Sequence, residues 1–203
     1  MAEQRLDGRT RREQIVWAAL RLAADGVANV TLKGVAEAVG VVPSALYRHF
    51  RNKESLMDAV MDHVVSRLVH RGREAEREEA DALRAIEGVA RFHMRLIVAE
   101  PGLLRLVFSE EGGTAARSGK ILRAMARYRA VVAGLVRRGQ AAGQIRADVD
   151  AEDLVYMYIG TVVPPALLYH LSGGAYALED RFERNWRLFE DMARPRGGSG
   201  HAA

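Results

Sequence analysis

The stretch TLKGVAEAVGVVPSALYRHFRNKESL, residues 31–56, decides how this chain is read. Thr31 opens a short helix. Leu32, Val35, Ala36 and Val39 recur at helical spacing and face inward. Gly40 stops it, because glycine readily takes the backbone conformation that ends a helix. Pro43 then starts a second short helix over about 43–50, where its missing N–H costs nothing. Leu46 and Phe50, four apart, mark that helix's buried side. Asn52 caps a longer helix that begins near Lys53 and runs toward His70. Two short helices joined by a tight, glycine-containing turn describe a helix-turn-helix, with the second as the recognition helix.

Charge agrees with an anionic partner for this region. Residues 1–55 hold nine Lys/Arg and six Asp/Glu, which is +3 of the chain's net +4. The rest of the 203 residues is nearly balanced. Apolar residues make up 49% and charged residues 28%, the usage of a globular chain with a core. Cysteine is absent, which excludes disulfides, thiolate catalysis and Cys-ligated metal sites. The first residues lack a secretory apolar segment, so a cytoplasmic location is expected.

Outward from the central stretch, the chain reads as all-α. A first helix opens at Thr10, with Glu13 at capping-box spacing, and ends at Gly26. Beyond the fourth helix, Gly72 and the mixed-charge run 73–79 read as a loop or frayed end. Further helices are expected near 81–99, 101–110, 115–141, 151–172 and 176–193, about nine in all. Breaks fall at Pro101-Gly102, Gly112-Gly113, Gly143 and Gly173-Gly174. Pro164-Pro165 should kink or split the 151–172 element. The segment Leu154–Leu178 carries no Asp, Glu, Lys or Arg. Its prolines, glycines and flanking acids favour a buried or subunit-packing helix pair over a membrane span. The organisation expected is a DNA-binding head over 1–55, a helical body over 56–193 and a disordered tail over 194–203.

The residues resemble the tetracycline-repressor (TetR) family. Thr31–Val41, then Leu46-Tyr47-Arg48-His49-Phe50 and Asn52-Lys53-Glu54-Ser55-Leu56, follow the family's pattern without a gap. Three positions depart from it: Val42 replaces the usual Ser, Ser44 the usual Gly, and Gly34 a usual polar residue. The resemblance implies a DNA-binding set of Thr31, Lys33, Pro43, Ser44, Ala45, Tyr47, Arg48, His49 and Lys53. Tyr47, Lys53 and Thr31 would hold phosphates, and His49 would lie near the backbone. Pro43, Ser44, Ala45 and Arg48 would face the groove, with Arg48 able to hold guanine bidentately.

The resemblance further implies a ligand-binding and dimerising body. The apolar pocket would draw on Phe92, His93, Leu96, Phe108, Met125, Tyr128, Tyr156 and Ile159. The homodimer interface would use Tyr158, Val162, Phe182, Trp186 and Phe189. The chain would be a repressor released from a palindromic operator when a small apolar ligand shifts the fourth helices of the dimer. It would be no enzyme and would need no cofactor. His63, His70 and His93 could share a neighbourhood, but a metal site is not expected. Two alternatives stay open: a small helical ligand carrier or enzyme with only non-specific DNA affinity, and a helical subunit that binds proteins alone.

Overall fold

The computed structural model describes residues 11–108 and 115–196. Among these residues there are nine α-helices, one 3-10 turn and no strand. The helices are α1 (Arg11–Ala24), α2 (Leu32–Ala38), α3 (Pro43–Tyr47), α4 (Lys53–Glu78), α5 (Ala82–Ala99), α6 (Pro101–Phe108), α7 (Ala115–Ala141), α8 (Ala151–Leu171) and α9 (Leu178–Ala193). The all-α expectation is met. Thr10, the Gly112-Gly113 break and most of the tail lie outside the described residues.

The chain forms two compact units. Of the described residues, the first holds 11–67, 99–108 and 115–125; the second holds Leu68–Val98 and 126–196. α4 and α7 therefore each supply residues to both.

In the first unit, α1 is buried along the run from Ile15 to Leu20 and again at Ala23. Helix α6 lies against it. Gly102 permits the close approach: a Cβ there would meet the Leu20 carbonyl oxygen and the Ala24 amide nitrogen. Trp17 presents its ring to His63 of α4 in a T-shaped contact at 5.8 Å, and the Arg67 guanidinium lies 5.0 Å from the same ring. Gly40 ends α2 with φ at +69°. The Val41 amide donates to the Ala36 carbonyl at 2.9 Å and the Gly40 amide to Glu37 at 3.2 Å. This pairing closes orphan carbonyls at a helix end and favours glycine in the left-handed position.

In the second unit, α4 continues through Gly72 to Glu78, where a loop or frayed end was expected. Two causes are visible. The missing Cβ of Gly72 makes room for Val131 of α7, so the glycine serves a helix crossing. Polar side chains pair along the helix: His70 Nε2 with Glu74 at 3.0 Å and Arg71 with Glu78 at 3.1 Å. Arg138 then closes the helix end, donating to the carbonyls of Glu76 at 2.6 Å and Glu79 at 2.9 Å.

Helix α8 opens on Asp150, whose Oδ1 accepts from the Glu152 amide at 2.7 Å. The Pro164-Pro165 pair does not split it: the helix runs unbroken to Leu171. The two prolines have no N–H, so the Gly160 and Thr161 carbonyls lose their usual helical donors. α8 is long and apolar enough to cross a membrane, a property it shares with core helices of globular proteins. It packs on α9 within the same unit.

Candidate functional site

The helix-turn-helix forms as the sequence predicts, with α2 and α3 packed on one another. Thr31 caps α2: its Oγ1 accepts from the Gly34 amide at 2.9 Å, which leaves the hydroxyl proton to donate outward. Leu46 and Phe50 are buried at 1% and 4% exposure and fix the inner side of the α3 turn. Tyr47, Arg48 and His49 are all exposed, as are Pro43 and Ser44; Ala45 is half-buried. Lys33 projects into solvent and reaches Glu37 at only 3.9 Å. The α3 N-terminus has no side-chain cap, because Val42 offers no hydroxyl, and Val42 itself is exposed. The outward set is thus a guanidinium, a phenol, an imidazole and small residues on a short helix held from behind by two apolar anchors. Such a surface can donate to phosphates and base edges.

Lys53 stands apart from this set. Its ammonium donates to the Val27 carbonyl at 2.5 Å and to Ala28 at 3.3 Å, in the 3-10 turn that follows α1. It ties the start of α4 to that turn. The helix start itself is capped as expected: Asn52 Oδ1 accepts from the Ser55 amide at 2.9 Å, and Ser55 Oγ donates back to the Asn52 carbonyl at 2.8 Å.

Sequence reasoning missed Lys120. It pairs with Asp58 at 2.7 Å and Glu54 at 3.2 Å on the first turns of α4. Those carboxylates hold its ammonium pKa up, Asp58 most of all. The partners are too distant in the chain for any local pattern to suggest the contact.

The eight residues expected to line the pocket lie in different surroundings. Phe108 and Tyr156 are solvent-exposed, at 60% and 57%. Phe108 and Met125 belong to the first unit and the other six to the second. Phe92, Met125 and Ile159 are half-buried, and Leu96 is buried. His93 and Tyr128 are joined, and Tyr158, placed by sequence in the dimer interface, is their third member. Tyr128 Oη lies 3.3 Å from His93 Nδ1 and is hydrogen-bonded to Tyr158 Oη. Burial drives the His93 pKa down to about 4, so the imidazole is neutral. Burial likewise raises both phenols above their ordinary value. Tyr156 turns the other way, accepting from Arg129 Nη1 at 2.5 Å on the exposed side of α8. Among the described residues no cluster of three His, Cys, Asp or Glu could hold a metal ion.

The five residues expected at the dimer interface, Tyr158, Val162, Phe182, Trp186 and Phe189, are all buried within the chain, none above 4% exposure. Phe182 stacks on Trp186 at 6.3 Å, and Trp186 meets Phe189 at 5.1 Å. They form the inner stripe of α9 and the side of α8 that faces the core. The large apolar residues left exposed on these helices are Tyr156, Met157, Leu168, Leu171 and Leu188.

Comparison with known proteins follows this geometry closely. The family profile described as bacterial regulatory proteins of the tetR family matches residues 15–60. The profile described as tetracyclin repressor-like, C-terminal domain, matches residues 83–165. The nucleoid occlusion factor SlmA of Vibrio vulnificus is 31% identical over 99 residues, 48% of this chain and 50% of that one. The chain therefore spans about half the length of the curated relatives it matches. Among solved structures, the transcriptional regulator FadR from Bacillus subtilis in complex with stearoyl-CoA superposes with a TM-score of 0.79 at 20% identity. It covers 91% of this chain and 100% of that one. FadR from Bacillus halodurans gives 0.80 at 20% identity, covering 93% and 99%. These likenesses carry the fold, and the two profiles together take in more than half of the sequence. The chain belongs to the TetR family of bacterial regulatory proteins.

Proposed function

We propose that this protein is a sequence-specific DNA-binding transcriptional regulator, acting in the cytoplasm as a homodimer on a palindromic operator. The observation that carries the reading is the division of α3 and the turn that follows it. Leu46 and Phe50 are locked into the core while Tyr47, Arg48 and His49 all face solvent. A helix anchored in this way can be laid in a major groove without unfolding its support. Arg48 reads bases, Tyr47 and Thr31 donate to phosphates, and Lys33 and His49 add contacts near the backbone. Pro43, Ser44 and Ala45 are small enough to let α3 approach the base edges. Lys53 positions α4.

The partner copy is held by the outward face of α8. Met157, Leu168 and Leu171 are exposed and recur at helical spacing along one side, with Gly160 and Pro164 between them. A Cβ at Gly160 would meet nothing in this chain, so packing within the chain does not explain the glycine. A two-fold dimer would set two α3 helices about 34–36 Å apart, one DNA turn.

Release follows from an apolar effector that prefers a different spacing of the two heads. Moving the population from 1:99 to 99:1 requires about 5.5 kcal/mol of differential affinity. The stearoyl-CoA bound by FadR of Bacillus subtilis, a protein of the same fold, supports an apolar effector here. Repression is the default sign of regulation for this arrangement. The test is a DNA titration of the full chain beside Arg48→Ala and Tyr47→Phe. Arg48→Ala should lose preference for the operator over random duplex by about 1–3 kcal/mol. Tyr47→Phe should weaken both duplexes alike. Equal behaviour of wild type and Arg48→Ala on both duplexes would remove the base-reading role.

A further inference from the structure

The core of the second unit contains a polar relay that folding alone does not require. His93 of α5, Tyr128 of α7 and Tyr158 of α8 meet in the buried core. Phenylalanine or leucine would fill such positions without any polar atom to satisfy.

Counting protons settles how the relay runs. The three groups own two hydroxyl protons and one imidazole proton, and two hydrogen bonds use two of the three. If Tyr158 donates to Tyr128 and Tyr128 to His93 Nδ1, the remaining proton sits on His93 Nε2. If the order is reversed, the remaining proton is the Tyr158 hydroxyl's, and if Tyr128 accepts from both neighbours it is the Tyr128 hydroxyl's. Tyr158 is at 0% exposure and Tyr128 at 2%, whereas His93 is the least covered of the three at 8%. An orphaned hydroxyl donor at full burial is the costlier arrangement. The relay therefore runs from Tyr158 to His93 and leaves one N–H, on Nε2, at the least covered of the three residues.

Building on the reading of the chain as an effector-controlled regulator, we propose that His93 Nε2–H donates to an uncharged acceptor oxygen of the effector, a carbonyl, ester or hydroxyl group on an apolar body. The imidazole is held neutral, and both phenols are held protonated, by the same burial. Among the described residues no cation is hydrogen-bonded into the relay. The guanidinium adjacent in sequence, Arg129, donates through Nη1 to Tyr156 on the exposed side of α8, and its Nε is a further buried donor. At the relay itself an ionised carboxylate would meet neutral donors only and would forfeit its hydration. The site thus selects for polarity without charge at the buried end of its ligand.

The test uses the full chain with 15N-labelled histidine. The long-range 1H–15N pattern of His93, assigned by its loss in His93→Gln, reports which nitrogen carries the proton; Nε2 is expected. The protein is then titrated with 2-undecanone, cyclododecanone and undecanoate while operator binding is followed in parallel. At least one ketone should bind and shift the His93 Nε2 signal, and undecanoate should bind about tenfold more weakly or worse. His93→Gln, whose amide keeps a donor near Nε2, should hold the ketone within about threefold, and His93→Leu should lose about tenfold. Thermal melts verify folding; should His93→Leu fail to fold, the tautomer and His93→Gln decide. A proton on Nδ1, equal or tighter binding of undecanoate, failure of both ketones, or a fully binding His93→Leu would each overturn the proposal. Ketone binding at Nε2 by a protein that holds no operator would sink the regulator reading while leaving this site in place. Operator binding that coexists with failure of both ketones would do the reverse.

Discussion

Lys53→Ala separates two roles that the sequence cannot tell apart. Read as a phosphate contact, Lys53 should contribute about −0.9 to the slope of log K against log salt for each head. In the structure its ammonium is already committed, at 2.5 Å to the Val27 carbonyl and 3.3 Å to Ala28. A hydrogen bond from a charged donor contributes about 1.5–3 kcal/mol. The Val27 carbonyl also accepts from the Val30 amide at 3.2 Å, so it is not stranded when the lysine is removed. The longer contact is exposed and adds little. The loss should therefore be about 1.5–2 kcal/mol of stability. In urea, with a slope of about 2 kcal/mol/M, the midpoint should fall by about 0.7–1 M. Operator affinity should fall at every salt concentration, because α4 is no longer tied to the 3-10 turn that leads into α2, but the salt slope should stay as in wild type. A slope reduced by about one per head with an unchanged urea midpoint would refute the reasoning and restore the phosphate contact.

Other outcomes follow from the same geometry. Gly102→Ala should destabilise by about 1–3 kcal/mol in chemical unfolding, because the new Cβ meets backbone atoms of Leu20 and Ala24 that cannot step aside; a neutral or stabilising change, as helix propensity alone would give, would mean that α1 and α6 lie farther apart. His93 stays neutral in the folded state down to about pH 4, whereas the unfolded chain takes up that proton near pH 6.5. The unfolded state binds more protons between those values, so stability should fall as pH drops from about 6.5 toward 4, by about 3 kcal/mol in all. His93→Gln should flatten that part of the profile in pH-resolved unfolding. Leu171→Glu places a charge on the exposed face of α8 and should shift the sedimentation equilibrium toward monomer, while Trp186→Ala should lower the melting temperature instead, as loss of a core ring does.

Much of the fold is legible because it is local. The Thr31 cap, the Gly40 stop and the Leu46–Phe50 pair are short-range signals, and each appears where the spacing puts it. Local signals fail where a distant partner decides. Gly72 reads as a breaker until Val131 is seen to need its missing Cβ, and Arg138, remote in sequence, closes the end of α4. The aromatic stripe Phe182, Trp186, Phe189 has the right period for a helix face, but periodicity names a buried face without saying what buries it. The exposed residues that suit a partner, Met157, Leu168 and Leu171, sit in the same uncharged segment and are indistinguishable there by composition. The relay is hidden from the sequence for a similar reason. His93, Tyr128 and Tyr158 lie on three helices, and only their packing shows that they share protons.

The central claim is that α3 reads DNA sequence as one half of a symmetric pair. The direct test is a selection of source-genome fragments by the purified full chain at moderate salt, read by sequencing. The account predicts enrichment of a palindrome whose half-sites lie about one helical turn apart, lost when Arg48 is replaced by Ala. Recovery of fragments without a shared motif, or of a motif that Arg48→Ala enriches equally well, would contradict it.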